Sequence, residues 1–184
     1  MKVRNEVFIS VDIETSGPIP GEYSMLALGA CLVDAPSMTF ESILKPLNRN
    51  AEPEALTVTG FSLDELEKSG TEPNQAMHKF NQWVKNACGE GQTAVFVGLN
   101  APFDWSFVNY YFCRFFGKNP FGFTALDIKA YYMGATGSSW GDTRSSIMAK
   151  HLRPTLKGTH NALQDAVYQA ELFRLTRQLA PKQV

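Results

Sequence analysis

Val7-Phe8-Ile9-Ser10-Val11-Asp12-Ile13-Glu14-Thr15-Ser16-Gly17 is the stretch around which the rest of the chain can be read. At the two-residue period of a strand, Val7, Ile9, Val11 and Ile13 share one side, and Phe8, Ser10, Asp12 and Glu14 share the other. The first side is uniformly apolar and β-branched, as expected of a strand covered by helices. The second places two carboxylates side by side just before Gly17 and Pro18 end the strand. A like-charged pair about 4 Å apart repels by roughly 4 kcal/mol at an effective dielectric near 20. A hard divalent cation offsets such repulsion; so does plain solvation at a strand end, and this stretch alone does not choose between them.

The bulk properties narrow the field. A chain of 184 residues with 44% hydrophobic and 19% charged residues is expected to be one globular domain, residues 1–184. Its net charge of −1 and pI near 6.3 show no broad basic field of the kind that holds long duplexes. Any phosphate partner must therefore be handled by metal ions and local Lys or Arg. The three cysteines, Cys31, Cys88 and Cys113, follow no C-x-x-C pattern and read as free thiols, against a disulfide framework or a zinc site. The early apolar run is broken by Ser10 and Asp12 and no run reaches membrane-spanning length. The expectation is a cytoplasmic protein with no membrane partner.

Working outward, residues 25–34 read as a second strand and 39–46 as its hairpin partner, with Ala35 to Met38 as connector. Residues 47–71 are mixed, with a short helical piece over 62–67 in which Ser62 and Glu65 suggest a capping box. Helices are expected over 72–87, from Pro102 to about Phe116, over 147–152, and from about Asn161 to Leu179. Residues 93–100 and 123–128 read as strands, and 134–146 as the most loop-like segment. This order predicts an α/β fold with a mixed five-stranded sheet, antiparallel at its start with parallel additions, flanked by helices.

Two further stretches carry chemistry. In Asn100-Ala101-Pro102-Phe103-Asp104, Pro102 suits the first helical position, which puts Asp104 in the first turn, where the helix dipole favours a carboxylate. It also lies at the carboxyl end of a strand, where open α/β sheets bind ligands. In Gly158-Thr159-His160-Asn161-Ala162-Leu163-Gln164-Asp165, two helical residues five apart would diverge by about 140°. His160 and Asp165 converge more easily if His160 precedes the helix, with Thr159 or Asn161 as N-cap. Taken singly, each stretch is better read as a helix-dipole complement or as a capped helix bearing an ordinary histidine.

Together, D-x-E-T-S-G, N-A-P-F-D and H-N-A-L-Q-D, in this order and across nearly the whole chain, resemble the DEDDh family of 3′–5′ exonucleases. That family includes proofreading subunits, oligoribonuclease and ribonuclease T. The resemblance implies a ribonuclease H-like fold and a two-metal phosphodiesterase using Mg²⁺ or Mn²⁺. It makes Asp12, Glu14, Asp104 and Asp165 the metal-binding carboxylates and His160 the general base, a role an imidazole suits near neutral pH. The substrate it implies is the 3′ end of single-stranded or short nucleic acid, DNA or RNA, and the product a 5′-mononucleotide. Thr15, Ser16, Phe61 and Phe103 are the residues expected to touch the terminal nucleotide. Relatives often read His-Gly where this chain has Thr59-Gly60-Phe61, and Asp127 matches a family aspartate whose role is structural.

Other features are weighed more plainly. The aromatics between Phe103 and Phe123 favour core or interface over base stacking, and a homodimer is compatible with them. Trp140 and Arg144 lie in the loop, either over the site or against the body. The alternative function is a non-catalytic nucleic-acid-binding or scaffold subunit on the same fold. A glycosidase with paired carboxylates would explain neither His160 nor the third and fourth acids.

Overall fold

The computed structural model describes residues 5–179. Five strands, β1 (Glu6–Thr15), β2 (Met25–Leu32), β3 (Ala35–Ile43), β4 (Thr93–Gly98) and β5 (Ala125–Asp127), form one sheet in the order β3-β2-β1-β4-β5. The pairs β1–β2 and β2–β3 are antiparallel, while β4 and β5 run parallel to β1 and to each other, as the element order predicts. The helices are α1 (Pro53–Thr59), α2 (Leu63–Ser69), α3 (Pro73–Ala87), α4 (Ala101–Phe115), α5 (Ile128–Thr136), α6 (Ser145–Leu152) and α7 (Ala162–Leu179). Among the described residues, no helix is long and apolar enough to cross a membrane.

The alternation in β1 divides the core. Ile9, Val11 and Ile13 pack with Phe80 of α3 and Phe107, Val108 and Phe112 of α4. Phe8, on the opposite side, packs with Ile128 and Tyr132 of α5, Met148 of α6 and Phe173 of α7. Most of the aromatic segment is core: Phe107, Tyr111, Phe112 and Phe121 are buried, and Tyr111 Oη accepts from Met25 N–H at 2.8 Å. The third, small cluster joins Leu26 to Leu63 and Leu66 of α2. The three cysteines are free thiols; burial pushes Cys31 up to about 12, so it is an inert core group.

Several boundaries differ from the sequence reading. The β2–β3 turn is Val33-Asp34, so residues expected to connect the strands instead begin β3. Pro36 is accommodated because β3 is an edge strand. Helix α1 is new: Pro53 opens it and Gly60, at φ 70°, ends it, but it buries no residue and so writes no apolar stripe into the sequence. β5 is three residues long, because Asp127 also caps α5 by accepting from Ala130 N–H at 2.7 Å. The expected loop shrinks between α5 and a 3-10 turn at Trp140–Thr143, which Ser139 and Asp142 close as a capping box. At α2, Ser62 accepts from Glu65 N–H at 3.5 Å.

One residue without a side chain sets the height of α7 above the sheet. Gly29 pairs with Asp12 across β1 and β2, and a Cβ on it would lie 2.2 Å from the backbone carbon of Ala162. Helix α7 therefore starts in contact with the strand next to Asp12. Gly29→Ala is expected to lower Tm on the order of 5 °C, consistent with overpacking by about 1–3 kcal/mol, and to cut activity by moving Asp165. A thermal melt and activity matching the parent would show that α7 does not depend on this contact.

Candidate active site

The site forms where β1 outruns its neighbour. Pairing with β4 covers only Glu6 to Ser10, so the last residues of β1 project beyond it, and α4 begins in the space left. There Ile13 N–H donates to Asp104 Oδ1 at 3.2 Å. Asp104 is buried in the first turn of α4, as its spacing from Pro102 predicts. The start of α4 is itself anchored, because Asp127 Oδ2 accepts from Ala101 N–H at 2.7 Å. Asp127 thus holds two helix N-termini and makes no part of the acidic cluster, the structural role expected of it.

From the other side comes the start of α7. Asn161 caps it, its Oδ1 accepting from Gln164 N–H at 3.0 Å. His160 precedes the helix at φ 58°, exposed to solvent. Asp165 fastens this turn by accepting from Thr159 N–H at 2.7 Å and His160 N–H at 3.0 Å. Asp12, Glu14 and Asp165 each bring a carboxylate oxygen within 4.8 Å of the others. Asp104 stands outside that triplet, close enough for its charge to bear on Asp12.

Burial and mutual repulsion raise the pKa of Asp12, Glu14 and Asp104. Asp12 is raised well above an ordinary carboxyl, first by burial and then by the charges of Asp104, Glu14 and Asp165. Glu14 is raised to about 7 by burial and Asp165, against a smaller pull from His160. Asp104 is raised to about 8, mainly by burial, although hydrogen bonds from the backbone work the other way. An all-oxygen donor set of this density, with no thiol in it, fits hard divalent cations.

Of the residues expected to touch a nucleotide, Thr15 and Phe103 line a cavity of about 370 Å³ beside Glu14, walled also by Ile13 and Val58. Ser16 is fully buried, donating to Asn50 O at 2.8 Å and accepting from Ser24 N–H at 2.9 Å. Phe61 packs against the Leu26, Leu63 and Leu66 cluster instead of lining that cavity. Trp140 is 57% exposed and lines no part of that cavity; Lys129 Nζ lies 4.3 Å from its ring centre. Sequence reasoning missed Gln169 as a residue of the site. Its Nε2 donates to Asp12 Oδ1 at 2.5 Å and its Oε1 accepts from Leu99 N–H at 2.8 Å. The one available signal was spacing: Gln169 lies four residues after Asp165, on the same helix face.

The exonuclease family RNase_T matches residues 9–173, which include every one of these carboxylates and His160. The chain belongs to the DEDDh 3′–5′ exonuclease family. It is 52% identical over 182 residues to the Escherichia coli protein named 3′-5′ DNA exonuclease Cap18, covering 99% of this chain and 97% of that one. Among solved structures, the nuclease domain of 3′hExo, a DEDDh member bound to rAMP, matches at TM-score 0.75 and 16% identity, covering 94% of this chain and 92% of that one. Escherichia coli exonuclease I in complex with a dT13 oligonucleotide matches at TM-score 0.71 and 18% identity, covering 94% of this chain and 41% of that one. These likenesses show the expected ribonuclease H-like fold. The protein is therefore an exonuclease, of a family that works with divalent metal ions.

The raised acids give the site a pH signature. Unfolded carboxyls titrate near 4, whereas Glu14 and Asp104 keep their protons to about 7 and about 8 in the fold. The folded chain binds more protons across that window, so the site's contribution to stability falls as pH rises through it. In EDTA, Tm is expected to drop between about pH 5 and pH 8 more in the parent than in Glu14→Gln, and Mn²⁺ to raise Tm more at the higher pH. A metal-induced shift that is the same at both pH values would overturn this account.

Proposed function

We propose that the protein removes nucleotides one at a time from the 3′ end of single-stranded DNA, releasing 5′-mononucleotides. The carrying observation is the convergence of Asp12, Glu14 and Asp165 beside a nucleotide-sized cavity, with His160 on the turn that Asp165 secures. DNA is favoured over RNA by the 52% identity to a protein named as a DNA exonuclease. In this reading Asp12, Glu14, Asp104 and Asp165 would hold two divalent ions, Mg²⁺ or Mn²⁺. When bound, such ions lower the pKa of a coordinated water and neutralise charge at the scissile phosphate.

The remaining work falls to this chain's own side chains. His160 takes the proton of the attacking water; its place before the helix leaves the imidazole accessible, while its backbone is tied to Asp165. Ile13, Val58 and Phe103 offer apolar walls to the terminal base and sugar, and Thr15 lies beside them. Phe103 also rests on Phe107, their ring centres 5.5 Å apart, which fixes the wall to the core. Orientation of the last nucleotide against Glu14 is what these contacts supply.

Matched DNA and RNA oligomers labelled at the 5′ end, incubated with Mn²⁺, Mg²⁺ or EDTA, test the reading directly. A ladder shortening from the 3′ end only with metal, faster on DNA, is the expected result. His160→Ala should lose about 10²–10⁴-fold in turnover while retaining the Mn²⁺-induced rise in Tm. Metal-independent cleavage, or a His160→Ala variant as fast as the parent, would remove the mechanism.

A further inference from the structure

Gln169 stands where a single amide can link the three segments that carry the acids. It is 4% exposed, so water cannot take over its contacts. Its orientation is fixed by chemistry: Leu99 N–H is a donor and must meet the amide oxygen, so the NH₂ group faces Asp12. Asp12 Oδ1 thus receives a donated hydrogen bond at 2.5 Å, and the carboxylate's remaining lone pairs stay free. Leu99 directly follows β4 and precedes the start of α4, which carries Asp104. Asp165 lies one turn earlier on the same helix as Gln169, about 6 Å along its axis.

We propose that Gln169 is the positioning residue that fixes the Asp12 carboxylate for metal binding, through the amide bridge between Leu99 and Asp12. A side chain that merely filled the core would need no polar head here. Two hydrogen bonds in opposite senses, one to a strand end and one to a carboxylate, make the head directional. Without the bridge, Asp12 is free to rotate about its χ angles among neighbours that repel it, and metal must then supply the ordering that Gln169 supplies beforehand. Hydrogen-bond partners of ligating carboxylates are typically worth about 10–100-fold in metal affinity. The inference rests on the two-metal reading of the site.

The test compares Gln169→Met and Gln169→Leu with the parent and with Asp12→Ala. Mn²⁺ binding is measured by calorimetry and by thermal shift against EDTA; kcat and KM are measured on single-stranded DNA across Mn²⁺ concentrations. Expected for both Gln169 variants are cooperative melting in EDTA, Mn²⁺ affinity at least about 10-fold weaker, and lowered kcat that excess Mn²⁺ restores, with KM for DNA unchanged. A purely structural role would give a loss that Mn²⁺ does not rescue. If Asp12→Ala loses Mn²⁺ binding while both Gln169 variants keep it, the inference falls and the metal reading stands. If Asp12→Ala binds Mn²⁺ as the parent does, the metal reading falls and takes the inference with it.

Discussion

Four carboxylates held together against their own repulsion are the constraint on which the architecture depends. Asp12, Glu14 and Asp165 meet within 4.8 Å, and Asp104 adds its charge to Asp12 from a buried position. Among the described residues, no lysine or arginine figures in the groups that offset them; His160 eases Glu14, and backbone or amide N–H groups do the rest. Asp104 takes Ile13 N–H, Asp165 takes Thr159 and His160 N–H, and Asp12 takes the Gln169 amide. Fixed dipoles of this kind hold the acids in place without a side-chain cation occupying the site, which leaves their oxygens to a divalent ion.

The fold can maintain such a cluster because each member is fixed from a different direction. β1 extends past β4, so Asp12 and Glu14 sit on a strand that is hydrogen-bonded on one edge to β2 and open on the other. α4 enters that opening with its N-terminus held by Asp127. α7 closes over the opposite face, brought down onto the strands by Gly29. Repulsion that would separate three loops cannot separate two helix starts and a central strand whose cores are independently packed by Phe112, Phe107 and Phe173.

The sequence revealed these positions unevenly, for physical reasons. The alternation in β1 was readable because burial on both faces of a central strand selects every residue in turn. Asp104 and Asp165 were placed correctly because proline and capping residues mark helix starts locally. α1 escaped because a helix with no buried residue leaves no periodic trace, and α5 escaped because Asp127 serves a strand and a helix at once. Phe61 suggested a base contact by its place after Gly60, where the chain departs from its relatives, yet its packing with Leu63 and Leu66 depends on a helix two residues further on. Gln169 was the hardest, since an amide's value lies in which partners reach it, and Leu99 is seventy residues away.

The placement of His160 follows from the same constraint. A non-glycine residue at φ 58° is disfavoured by roughly 1–2 kcal/mol, so the turn persists only because something rewards it. The reward is Asp165, whose two oxygens accept the backbone N–H groups of Thr159 and His160. One carboxylate therefore belongs to the acidic cluster and at the same time shapes the backbone that presents the imidazole. Any shift of Asp165 moves His160 with it, and any loosening of the turn frees Asp165 from the geometry that brings it to Asp12 and Glu14. Base and ligand set are in this way a single mechanical unit, which explains why a side chain on an exposed loop can be held in register with carboxylates buried at the end of a central strand.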